Sequence, residues 1–202
     1  MSKKFITLSV FFIVLTFGFV LALNNAGLLK KRYKTISTVK PFRFTKQDGT
    51  IVTENDLIGK VAVVEFFFTT CKTICPAMNQ TMQGIYNQYK NNPNFVIISH
   101  TSDPKNDNVT RLKAYADSMG ASTTNWWFVT GPKDSLYMAA RNSYALDDQR
   151  AVVEDPETDF IHTQLFALVN KRGELKKKVY YSNLPEEIGE LKADIQKALD
   201  EE

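Results

Sequence analysis

Cys71 and Cys75 are the only two cysteines in this 202-residue chain, and their closeness is the first chemical signal. Two cysteines are too few for a disulfide scaffold, so the pair points to redox or metal chemistry. Lys72, Thr73 and Ile74 separate them, and Pro76 follows Cys75 directly. Proline favours the first position of a helix. Both sulfurs therefore approach a helix N-terminus, where unpaired amides and the helix dipole favour thiolate over thiol. A lowered thiol pKa serves attack on a disulfide and metal ligation equally. Disulfide oxidoreductases usually carry two residues between their cysteines, whereas the three here widen the loop and suit a metal between the sulfurs. His162 is the candidate third group. Two thiolates and an imidazole form a soft set suited to Cu(I), able to hold Cu(II) with an added ligand and able in principle to take Zn(II).

The elements that must position these groups follow from hydrophobic pattern. Val61 to Phe68 is apolar except at Glu65, which predicts a strand buried on both faces in the middle of a sheet. Met78, Met82, Ile85, Tyr86 and Tyr89 recur at helical spacing, so the chain passes from strand to helix across the cysteines. Upstream, Phe42, Phe44 and Ile51 flank Gln47-Asp48-Gly49, a hairpin turn signal. Downstream come a strand at Phe95–Ile98, a helix over Asp107–Met119, a strand at Trp126–Val129 and a helix over Ser135–Tyr144. Leu165–Val169 and Leu175–Tyr180, joined by Lys171-Arg172-Gly173, read as a hairpin that His162 precedes. Pro185 opens a last helix with Ile188, Leu191, Ile195 and Leu199 inward. Strands alternating with helices signal parallel βαβ units. The order matches an α/β thioredoxin-like fold with an N-terminal hairpin and an inserted helix–strand segment.

No charged residue occurs from Phe5 to Leu29, and Phe5 to Leu23 is almost continuously apolar, the length of a transmembrane helix. The alternative is a cleaved secretory signal with Lys3 and Lys4 as its positive start and a poor cleavage site at Val20-Leu21-Ala22. Either way the domain is exported. The expected organisation is an anchor at 1–29, a linker at 30–40 and a thioredoxin-like domain carrying the cysteine pair at 41–202, with Tyr33 to Lys40 read as a patternless tether. The Lys30, Lys31, Arg32 and Lys34 cluster outweighs Lys3 and Lys4, which by charge bias alone would hold the domain in the cytoplasm. All six of those cations precede Thr35, and no acidic residue does; the remainder is slightly acidic, with no basic face for nucleic acid.

Taken as a set, these residues resemble the Sco/SenC family, copper proteins that help assemble the dinuclear copper centre of cytochrome c oxidase. The likeness runs from about Phe42 to Leu199. It rests on Gly59-Lys60, Phe67-Phe68-Thr69-Thr70-Cys71, Cys75-Pro76, Asp103-Pro104 with Asp107, Tyr115, Trp127-Phe128-Val129-Thr130-Gly131 and His162. The resemblance implies one copper ion per chain on Cys71, Cys75 and His162. It also implies a single-pass anchor in a bacterial inner membrane with the domain in the periplasm, and the copper-receiving oxidase subunit as partner. An upstream copper donor or thiol reductant completes the partners. The family usually has proline where Lys72 stands, an aspartate where Ile161 precedes the histidine, and an apolar residue at Ser102. Lysine removes no ligand and lowers a neighbouring thiol pKa; without the aspartate, the imidazole relies on another acceptor such as Asp159.

Other residues take plainer readings. Met78 and Met82 read as core by their helical spacing, His100 as structural, and Asp103 as a turn residue. Of Trp126 and Trp127, one reads as core and the other as able to face a partner. Two functions remain open: a copper metallochaperone passing its ion on by ligand exchange, and a thiol–disulfide reductase using Cys71 and Cys75 as its redox pair. A peroxide-reducing member of the same fold lacks a visible peroxidase constellation.

Overall fold

The computed structural model describes residues 3–25, 34–147 and 164–201. It divides into two compact units, Met1–Tyr33 and Lys34–Glu202. In the first, α1 runs Lys3–Asn25. Phe11, Phe12, Ile13, Val14 and Leu15 are all more than half exposed on it, and Thr16 satisfies its hydroxyl locally on the carbonyls of Phe12 at 2.9 Å and Ile13 at 3.0 Å. The uninterrupted described side chains of this helix, 8–23, rise about 24 Å, against roughly 30 Å of bilayer hydrocarbon. Among the described residues no helix is long and apolar enough to cross a membrane, so the fold does not establish the expected anchor.

The second unit is built on a sheet of eight strands among the described residues, in the order β1-β8-β7-β4-β5-β6-β2-β3. The strands are β1 Thr35–Thr38, β2 Arg43–Lys46, β3 Ile51–Thr53, β4 Val61–Phe67, β5 Phe95–Thr101, β6 Trp126–Thr130, β7 Leu165–Val169 and β8 Glu174–Tyr181. β4, β5 and β6 are parallel, and β7, β8, β1, β2 and β3 are added antiparallel. β4 is buried along its whole length and flanked on both sides, as its apolar run predicts.

Alternation along β4 divides the core in two. Val61, Val63 and Phe67 face one layer, under α2 (Cys75–Tyr89), α3 (Val109–Ser118) and α5 (Pro185–Asp200). Ala62, Val64 and Phe66 face the other, under α4 (Lys133–Met138) and the β2–β3 hairpin. Met78 and Met82 lie fully within the first layer, as their spacing predicts. The predicted hairpin forms at Asp48-Gly49, where Gly49 takes φ +83°, a conformation costly for other residues.

Four expectations change. Thr35–Thr38, read as part of a tether, is an edge strand paired with β8; its alternate half-exposed residues carry no hydrophobic signal, because the pairing is made by main chain. The Ser135–Tyr144 helix is α4 followed by a wider turn of π-helix over Ala139–Tyr144, closed by Ala145 at φ +52°. The helix expected from Asp107 begins at Val109, capped by the Asn108 side chain accepting from the Arg111 amide at 3.0 Å. Neither tryptophan is free for a partner: Trp126 and Trp127 are both buried, one in each layer.

Candidate metal and thiol centre

β4 ends at Phe67, and the next seven residues turn back to begin α2 at Cys75. Cys71 lies in that loop, half-buried, and Cys75 in the first turn, buried; both are free thiols. No side chain caps α2, and Pro76 occupies its first turn. The unpaired amides of a helix start are therefore left for sulfur.

A buried carboxylate holds the loop in place. Asp107 Oδ2 accepts from the Thr69 amide at 3.0 Å and from the Thr101 hydroxyl at 2.7 Å, while Oδ1 accepts from the Thr69 hydroxyl. The Ser102 amide donates to the Phe67 carbonyl at 2.8 Å, continuing the β4–β5 pairing into the loop. Asp103 accepts from the Asn106 carboxamide at 2.8 Å, the turn role expected of it. Within the Asp103-Pro104 and Asp107 motif, Asp107 is thus the mount of the cysteine loop, and Asp103 shapes the turn that leads to it.

The two thiols are electrostatically unlike. Burial raises the Cys71 thiol, but hydrogen bonds to its sulfur from the Cys75 thiol and amide and from Thr73 outweigh it, and its pKa lies below the ordinary range. The Thr73 hydroxyl stands 3.7 Å from Cys71 Sγ. Cys75 is pushed up to about 12, first by burial and then because its thiol donates to Cys71; the Cys71 and Glu65 charges add to this, against a main-chain hydrogen bond at Phe68. Of the two, Cys71 is therefore the thiol that ionises first, with Cys75 as its hydrogen-bond donor.

Beneath the thiols lies a polar group that the sequence marks only as an interruption in an apolar run. Glu65 is fully buried, accepts from the Ser99 hydroxyl at 2.6 Å, and keeps Oε2 without a partner among the described residues. Ser99 in turn accepts from the Trp126 indole at 3.0 Å. Burial lifts Glu65 to about 7, with the Ser99 hydrogen bond opposing. Tyr115 packs between Phe67 and Phe128 and accepts from the Asn79 carboxamide. Its phenol is held above the ordinary range by burial first, and by the charges of Glu65, Cys75 and Cys71.

Cys71 and Cys75 thus meet as expected, whereas His162 and its possible acceptor Asp159 lie outside the described residues. Gln164 leads into β7, and its carbonyl accepts from the Ser182 amide at 2.8 Å. Because β7 runs antiparallel to β4, its start lies at the end of the sheet where β4 releases the cysteine loop. Among the described residues no three His, Cys, Asp or Glu side chains converge to hold a metal, so two sulfurs are the donors in view. His100 does not join them: it lies in the opposite layer, stacked on Phe66 at 4.8 Å and flanked by Phe44 and Tyr144 at 5.4 Å and 5.2 Å.

Comparison with known proteins gives a consistent result. A family model described as SCO1/SenC matches residues 30–200. The chain is similar to the SCO1 protein homolog of Bacillus subtilis, 37% identical over 142 residues, 69% of this chain and 72% of the relative. Among solved structures it is similar to BsSco, a member of the Sco family of cytochrome c oxidase assembly proteins in which a disulfide switch was identified. There the TM-score is 0.68 at 32% identity, covering 85% of this chain and 100% of that one. Yeast Sco1 with copper bound shares the fold, with a TM-score of 0.62 at 22% identity over 84% of this chain and 96% of that one.

Proposed function

The chain belongs to the SCO1/SenC family, and from that premise we propose that it is a copper metallochaperone serving assembly of the dinuclear copper centre of cytochrome c oxidase. Cys71 and Cys75 hold one copper ion as cargo, His162 completes the donor set, and the ion passes to the acceptor subunit by ligand exchange. The observation that carries this reading is the reduced pair at the uncapped start of α2, with Cys71 favoured as thiolate. Two soft sulfurs, one of them favoured to ionise, fit copper. Binding releases the Cys75 proton, so affinity rises with pH until that thiol ionises.

The apolar all-round character of α1 supports a membrane anchor. On family membership, and against the charge bias of the Lys30, Lys31, Arg32 and Lys34 cluster, we place the domain on the periplasmic side of a bacterial inner membrane, next to the oxidase. A copper donor or thiol reductant acts upstream.

A second reading rests on the unequal thiols. A partly exposed, low-pKa Cys71 and a buried, high-pKa Cys75 suit a reductase. The Cys71 thiolate attacks a disulfide of the acceptor, forming a mixed disulfide and releasing one acceptor thiolate. Cys75, on losing its proton, attacks Cys71 Sγ, closing the intramolecular disulfide and releasing the second thiolate. The switch found in BsSco makes that chemistry reasonable here.

Anaerobic copper titration of the reduced chain and of His162→Ala, with ligation read by X-ray absorption, separates the two. One copper per chain on two sulfurs and a nitrogen that the variant loses is the expected result. Weak copper binding, with fast reduction of protein disulfides indifferent to His162→Ala, replaces the chaperone with the reductase.

A further inference from the structure

Strand directions gather more than the cysteine loop at one end of the sheet. β4 ends there, β7 begins there, and β8, antiparallel to β7, ends there before Pro185 opens α5. The starts of α2 and α5 therefore stand side by side, and between them lies a groove of about 610 Å³. Ala77, two residues beyond Cys75, stands at its cysteine end, and Gln164 belongs to the segment leading into β7. The groove thus lies at the same end of the sheet as the loop that carries Cys71.

Its lining is amide-rich. Gln80, Gln164 and Asn183 all face it, and among the described residues none of the three carboxamides has an intramolecular hydrogen bond. Among the described residues, Lys192 is its one charged residue. Carboxamides offer a donor and an acceptor together, the complement of a peptide unit. A charge-poor wall suits an extended main chain better than a charged surface patch does. Gly189 forms part of the wall, and a Cβ placed on it meets no heavy atom within 4 Å. Among the described residues nothing covers α5 there.

We propose that this groove docks an extended, largely uncharged segment of the acceptor polypeptide, aligning the acceptor's sulfur groups with Cys71. The inference rests on the reading that the dithiol acts on another polypeptide, by either route above. The groove contributes main-chain recognition, and the thiols contribute the chemistry.

Gly189→Trp in the full chain tests it. The substitution fills open space on a helix, so the fold tolerates it. The probes are a small aromatic disulfide, which needs no groove, and an oxidised peptide with one internal disulfide and uncharged flanks. The variant is expected to match wild type in copper stoichiometry and in its rate with the small disulfide, and to react at least tenfold more slowly with the peptide. Ser135→Trp, on α4, serves as the control and is expected to leave all three unchanged. A peptide rate within twofold of wild type, or equal slowing with both disulfides, overturns the docking groove. A wild-type chain inert towards copper and both disulfides instead overturns the functional reading, and the groove with it.

Discussion

Asp107 holds Thr69 twice, through its amide at 3.0 Å and through its hydroxyl, and so ties the cysteine loop to the end of β5. The carboxylate is fully buried, with Arg111 at 3.9 Å as its counter-ion. Asp107→Ala removes the acceptor and leaves the Thr69 amide and the Thr101 hydroxyl to find other partners. The expected loss is about 3 kcal/mol in denaturant unfolding, with faster exchange of the Thr69 amide proton. A loss below about 0.5 kcal/mol shows that the loop is held by something else.

The unequal thiols predict unequal alkylation. In Cys75→Ser, which keeps a hydroxyl donor beside Cys71, iodoacetamide should react readily at neutral pH. In Cys71→Ser the surviving Cys75 should react far more slowly and need a more alkaline solution, since burial, the largest cause of its raised pKa, remains when the Cys71 sulfur is gone. Equal rates for the two variants contradict the arrangement.

Glu65 predicts a stability that falls as pH rises. Its folded pKa, about 7, lies above the unfolded 4.5. The folded state therefore binds the proton more tightly. The stabilisation is fully present below about 4.5 and is lost as pH rises through 7, by an amount on the order of 3 kcal/mol. Glu65→Gln keeps the Ser99 contact without a charge and should flatten this slope. An unchanged slope in urea midpoints between pH 5 and 8 refutes it.

His100 works in the other direction. Burial among Phe44, Phe66 and Tyr144 pushes the imidazole down to about 3 from 6.5, so the unfolded chain binds its proton more tightly. Stability is complete above about 6.5 and declines as pH falls towards 3, by an amount on the order of 5 kcal/mol. His100→Phe should shift the acid unfolding midpoint to lower pH. Circular dichroism during acid titration measures it, and an unmoved midpoint shows that carboxylates alone drive acid unfolding.

Much of the fold is legible in order. An uninterrupted apolar run marks β4, a 3.6-residue period marks α2, and Asp48-Gly49 marks the hairpin. Each signal is local and needs only backbone geometry and burial. β1 is silent because an edge strand gains its place by main-chain pairing with β8, which side-chain pattern does not report. The π-helical turn at Ala139–Tyr144 is silent because one extra residue per turn leaves the apolar residues in nearly helical order.

The sequence alone determined the chemistry on offer: two cysteines separated by three residues at the start of a proline-led helix, a histidine before the last hairpin, and motifs that resemble one family. Tertiary structure decided how the two sulfurs differ and what lies around them. Glu65 is only a break in an apolar run until β4 places it on the face beneath α2 and α3, and Asp107 is only a helix-start residue until the loop after β4 returns to it. The reason is that burial and hydrogen-bond partners, which set a group's protonation and position, come from residues distant along the chain. Thr69 meets Asp107 and Glu65 meets Ser99 only once β4 and β5 have paired.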